Sequence, residues 1–275
     1  MGERQIADAY REREAGRQRI ATGLEERMDH TLASLVSYPW DAWIVSVATP
    51  AQEVRSTRHL SQNDVSDVLT RARIGTAPTP RDLLFGQDVR PGMRRWVVWG
   101  ERPGEPVPFA MRGSHSTPPG ADAMRLTPRV LAEIHLDGTV VMAYTRASRT
   151  MEGQRWPCFS LYDLQQTVAS CLRLVWESRN QMQSPAPGYQ LLTTITAPKT
   201  DRDLFCLVGP DNPHQRAFQV RHIEPMRSYV TTGMGSQAFV ADTRQAITDA
   251  ASQFGYTHLE QDLDTKLADE SSVTF

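Results

Sequence analysis

Glu133 and His135 stand two residues apart in the run VLAEIHL (130–136), where β-type alternation places both on one strand face. A carboxylate beside an imidazole can act as a base and its orienter, or as two ligands of a metal. The simpler reading is a polar pair on the wet side of a hairpin, because no third ligand sits at a motif spacing. A second grouping lies in MRGSHST (111–117). There Arg112, Ser114 and His115, with Arg125 further on, offer charge, hydroxyl and imidazole groups beside a glycine. Such a loop can cradle a phosphate, and His115 joins Glu133 and His135 as a catalytic candidate. It is neither a Walker A loop nor a nucleophile elbow, since GxxxxGK[ST] and GxSxG are both missing. A mobile surface loop is the plainer alternative.

Other chemistry-bearing residues read more simply as structure. Arg94 and Arg95 precede Trp96 and Trp99, the composition of a stacking surface for single-stranded nucleic acid and also of a core strand with a charged start. His214, His222 and Glu224 can be drawn together as ligands, but alternation makes His222 and Glu224 the wet end of a strand over 217–223. Cys171 and Cys206 lie in apolar patterns and read as small core residues, whereas Cys158 follows a Trp-Pro pair and reads as a loop cysteine. No metal-ligand spacing and no cofactor motif occurs, so neither a metal nor a cofactor is expected.

These residues need elements to hold them. The chain opens on a charge-dense helix running to about residue 36, with apolar positions Ile6, Tyr10, Ile20, Leu24, Met28, Leu32 and Leu35. Their three- and four-residue spacings mark one face, broken where Arg13, Gly16 and Arg17 take the places a core would fill. The expectation is a helix whose half before about Arg19 is solvated and whose later half packs. Ile6, Tyr10, Arg13 and Arg17 are then its interaction residues. Pro39 is expected to end it. WIVSVAT (43–49) reads as a buried strand. Ser61 with Asp64, and Ser160 with Asp163, form capping pairs ahead of amphipathic helices, the first stopped by Gly75. RRWVVW (94–99), 189–196, 204–208 and 217–223 read as strands. Asp137-Gly138 suggests a two-residue type I′ hairpin pairing Glu133 with Met142 and His135 with Val140. A last helix is expected over 242–254, with Asp242 at its start and Gly255 past its end.

The fold class expected is α+β or α/β, a mixed and mostly antiparallel sheet of six to eight strands with about four helices. The organisation is an arm over 1–38, a core over 39–259 that divides into two lobes near the Pro/Gly-rich stretch 101–128, and an acidic flexible tail over 260–275. Composition is that of an ordinary globular protein, 40% hydrophobic and 23% charged over 275 residues. A net charge of −2 provides no global basic field for nucleic acid. Lysine is nearly absent, with only Lys199 and Lys266. Three scattered cysteines, no apolar leader and no membrane-length apolar run point to a cytoplasmic protein without a membrane partner.

The order of segments resembles the C-terminal region of actinobacterial proteins that carry a Schlafen/AlbA-type DNA-binding domain. The stretches that carry the resemblance are IADAYRERE (6–14), AWIVSVATP (42–50), GMRRWVVW (92–99), AEIHLDGTVVMAY (132–144), FQVRHIEPM (218–226) and AASQFGY (250–256). The DNA-binding domain that would precede the first helix has no counterpart here. The resemblance implies association with a nucleic-acid-linked or defence-linked system and supplies no catalytic residues. The expected function is a non-enzymatic regulatory or interaction module. It self-associates as a homo-oligomer or docks a partner protein through the N-terminal helix, with nucleic acid involved only indirectly. The competing expectation is an enzyme or small-ligand binder with its site near residues 111–117 and 130–145.

Overall fold

The computed structural model describes residues 3–35, 41–52, 60–72, 87, 89–101, 129–145, 149–151, 154–183, 186–197, 204–207, 218–220 and 223–255. Among them, helix α1 (Glu3–Ser34) is followed by β1 (Trp43–Pro50), α2 (Gln62–Arg71), β2 (Val89–Gly92) and β3 (Arg95–Glu101). Then come β4 (Arg129–His135), β5 (Val140–Thr145), β6 (Arg149–Met151), β7 (Gln154–Trp156) and β8 (Cys158–Ser160). After these lie α3 (Leu161–Met182), β9 (Gly188–Thr196), β10 (Leu204–Leu207), β11 (Phe218–Val220), β12 (Met226–Thr231) and α4 (Ser236–Ser252). The class is α+β, as expected. Seven strands form one antiparallel sheet in the order β12-β9-β1-β5-β4-β3-β2. A smaller sheet orders β11-β10-β8 with β8 and β10 parallel, and β6 pairs with β7.

Both faces of the large sheet are covered, which is why β1 is apolar at almost every position instead of alternating. Ile44 and Ala48 of β1, Val140 and Met142 of β5 and Ala132 and Ile134 of β4 face the main core. That core is closed by Val65 and Val68 of α2, Leu164, Val168 and Leu172 of α3, and Phe239 and Ile247 of α4. The opposite face carries Trp43, Val45, Val47, Leu131, Val141, Ala143 and Leu192, covered by Leu24 and Met28 of the first helix and by Leu35 just past its end. Trp43 stacks at a tilt against Trp99 of β3, with ring centroids 6.1 Å apart.

Local signals decide where the helices begin. Ser61 and Asp64 form a reciprocal capping box at α2, and Ser160 and Asp163 form another at α3, so four otherwise orphaned backbone donors are satisfied. α3 is then buried over most of its length, including Gln165, Thr167, Ser170 and Ser178. Thr167 and Ser178 return their hydroxyls to the carbonyls of Asp163 and Val175, which lets polar residues sit inside the core.

Several expectations need correction. α2 ends at Arg71 with Ala72 as its cap, so Gly75, which lies outside the described residues, is not what stops it. α4 starts six residues early, behind Gly235 at φ +90 with no side-chain cap. Asp242 lies inside it and accepts the Thr231 N–H at 2.7 Å, closing the end of β12. Cys158 is buried in β8 rather than exposed in a loop. β11 is described over Phe218–Val220 and exposed Glu224 is not in a strand, with residues 221 and 222 between them outside the described residues. The Asp-Gly hairpin is longer by one residue. His135 accepts the Gly138 N–H at 3.0 Å and donates its own N–H to Thr139 at 2.9 Å, with Gly138 at φ +85. This is a three-residue loop with a left-handed glycine, and Glu133 pairs with Val141 instead of Met142. Asp137 favours it by accepting the Thr139 N–H at 2.9 Å.

Candidate functional site

The hairpin residues Glu133 and His135 are not on a wet face. They are 3% and 2% exposed, because the second half of α1 lies across this side of the sheet. Alternation had placed them together correctly, but only the docking of a distant helix decides that their face is covered. His135 Nε2 lies 3.0 Å from Glu133 Oε2, and its Nδ1 lies 2.6 Å from Nη1 of Arg27 in α1. A guanidinium can only donate and a carboxylate can only accept. The ring is therefore the neutral tautomer with its proton on Nε2, donating to Glu133 while Nδ1 accepts from Arg27.

Charges close the cluster on both sides. Arg27 donates through Nη2 to Asp137 Oδ2 at 2.5 Å. Arg95 donates to Glu133 Oε2 at 3.2 Å and approaches His30 Nδ1 of α1 at 3.5 Å. Two guanidiniums thus face two carboxylates. Burial opposes the charged form of Glu133, but the hydrogen bond from His135 and the positive charge of Arg95 and His30 outweigh it and hold the carboxyl below its ordinary range. Asp137 is likewise held low: burial opposes its charge, and the Thr139 backbone N–H and Arg27 outweigh it. At the far end of the sheet Glu25 of α1 pairs with Arg227 of β12. Just ahead of β1, buried Asp41 accepts from Arg129 at 3.0 Å.

The structure separates the three residues of the stacking-surface reading. Arg94 occupies the β2–β3 turn at φ +57, exposed, and its carbonyl accepts from the Leu136 N–H at 3.0 Å. Arg95 is engaged beneath α1. Trp96 points to the opposite face, where its indole donates to the Leu60 carbonyl at 3.0 Å and the ring packs on the main core. Arg112, Ser114, His115 and Arg125 lie outside the described residues, as do His214 and His222. Ile6, Tyr10, Arg13 and Arg17 fall within α1. Cys171 is fully buried and its thiol is pushed up by burial, which keeps it protonated and unreactive. Among the described residues no group of three or more His, Cys, Asp or Glu is placed to hold a metal, and no helix is long and apolar enough to cross a membrane.

Arg27, His30 and Asp137 were missed in the sequence. Arg27 borders the packing stripe beside Met28, His30 is an exposed residue two positions on, and Asp137 reads only as a turn former. The available signal was the pair Glu133 and His135 itself, which once buried requires a cation from elsewhere. Comparison with known proteins adds no relative: no family model, no curated protein and no solved structure matches this chain.

Proposed function

We propose that the chain is a non-enzymatic interaction module that presents the first half of α1 as an arm for a second copy of itself or a docking partner. One observation carries this reading. α1 spans 32 residues, about 48 Å at 1.5 Å per residue, yet Leu24 is its first buried residue among those described. Before it, Glu14, Ala15, Gln18 and Arg19 are exposed, and Ile20 and Ala21 are half-buried. Most helical stability in proteins comes from packing an amphipathic face, so the turns of α1 ahead of Leu24 gain from a partner that covers them. Its charges alternate in sign from Glu3 and Arg4 through Asp8, Arg11, Glu12, Arg13 and Glu14 to Arg17, a pattern that an antiparallel second copy can match. The resemblance to regions accompanying Schlafen/AlbA-type DNA-binding domains supports a partner within a nucleic-acid-linked system.

The enzyme or ligand-binding reading draws support from the buried cluster of Glu133, His135, Arg27 and Arg95, since such clusters accompany reactive sites. Against it, both nitrogens of His135 are already engaged, which leaves the ring no free base. Light scattering over a range of concentrations tests the arm. The full chain is expected to self-associate and a chain lacking residues 1–19 to be monomeric with unchanged melting. A full chain that is monomeric throughout removes self-association.

A further inference from the structure

We propose that His135 is a proton-sensitive latch: neutral, it fastens the packed half of α1 to the sheet, and protonated, it loosens that half. The inference adds regulation to the arm and rests on that reading for its biological meaning, while the latch geometry stands by itself.

The latch follows from the direction of each hydrogen bond. Nδ1 of His135 is the acceptor for Arg27, 2.6 Å away. A proton added there sets an N–H against an N–H and places a new positive charge beside a guanidinium. Nε2 already donates to Glu133 in the neutral ring, so the added proton creates no new bond to that carboxylate. Glu133 is moreover shared with Arg95. Arg27 keeps only its more exposed contact with Asp137.

Glu133 and Asp137 attract the extra charge, while the guanidiniums of Arg27 and Arg95 oppose it. From α1 the facing charged or titratable groups are Arg27 and, through Arg95, His30. From β3 it is Arg95, the cross-strand partner of His135. From β4 and its turn they are Glu133 and Asp137. β5 presents Val141 and Ala143 to this face and adds no charge. Arg27 and Arg95 balance Glu133 and Asp137, so a protonated ring adds one unmatched positive charge at the buried end of a partly exposed cluster. Moving α1 away lets Arg27 and the imidazolium both reach water.

Hydrogen exchange read by mass spectrometry on the full chain tests this, with rates corrected for intrinsic exchange, at about pH 7.5 and about pH 5.5, on either side of histidine's ordinary range. Residues 24–35 are expected to open about tenfold more readily at the lower pH while α3 keeps its protection. His135→Gln supplies a neutral side chain that can donate to Glu133 and accept from Arg27, and should abolish the pH dependence. Arg27→Met should leave residues 24–35 more open at both values with the pH dependence gone, and serves alone if the glutamine variant loses α3 protection. Equal protection of wild-type residues 24–35 at both pH values overturns the latch, as does wild-type pH dependence in either folded variant. Light scattering on the same samples separates the two ideas. A monomer with pH-dependent exchange keeps the latch and removes the self-associating arm.

Discussion

Glu133 is where a single atom matters most, since its Oε2 accepts from both Arg95 and His135. Removing its charge strands a guanidinium in a mostly buried position, so Glu133→Gln should cost about 2–3 kcal/mol in denaturant unfolding at neutral pH. The pH dependence has a definite sign. Glu133 and Asp137 are both held below their ordinary range when folded. Their contribution is therefore present above the unfolded carboxylate range and is lost as pH falls below about 4 through the folded values. Acid titration followed by circular dichroism should show that loss, and the Gln variant should show a shallower one. The pairing of Glu133 with His135 was legible from alternation alone. Their burial was not, because Arg27 arrives from over a hundred positions away and nothing in VLAEIHL distinguishes a solvated face from one awaiting a helix.

At the scale of elements, the caps were the most legible features, because a capping box is written within four residues. Ser160→Ala should cost about 1 kcal/mol in thermal or chemical unfolding, since it orphans a donor at the head of a buried helix. The hairpin loop was legible in kind but not in length. Asp137-Gly138 fits both a two-residue turn and a three-residue loop, and the side-chain bond from Asp137 to the Thr139 N–H favours the longer form. Gly138→Ala should destabilise by about 1–2 kcal/mol, because φ is +85 there and a Cβ would meet Pro50 at 3.1 Å. β12 went unread because MRSYVT buries only Met226 and Val230 against the core, too sparse a pattern to stand out. The same sparseness explains β2, whose VRPG carries one buried residue and a proline. Gly188 has its reason in this neighbourhood: a Cβ would fall 2.3 Å from the Tyr229 hydroxyl oxygen and 2.9 Å from the Val230 carbonyl.

Across the whole molecule, class and strand number could be read from composition and turn spacing, whereas the order of strands could not. Hydrophobic runs identify strands but not their neighbours, and here the first strand lies inside the sheet, between β9 and β5. Residues 102–128 enter the chain between two strands that pair to their ends, with Glu101 opposite Arg129. Replacing that segment by a short Gly/Asn turn should leave melting within about 1 kcal/mol of wild type by calorimetry, since loop closure depends only weakly on length. A large loss would mean that the segment contributes to the core. The interior position of β1 also bears on how the protein comes into being. Its partners begin only at Val140 and Gly188. On a ribosome, β1 waits with both edges open until β5 has emerged and with one edge open until β9 follows, and the seat that receives α1 is incomplete before then. Formation of the sheet's centre is a late, long-range event that sets a slow folding rate. During that interval an apolar strand with an unpaired edge is an aggregation hazard, and the charged helix tethered just ahead of it is its nearest solubilising neighbour.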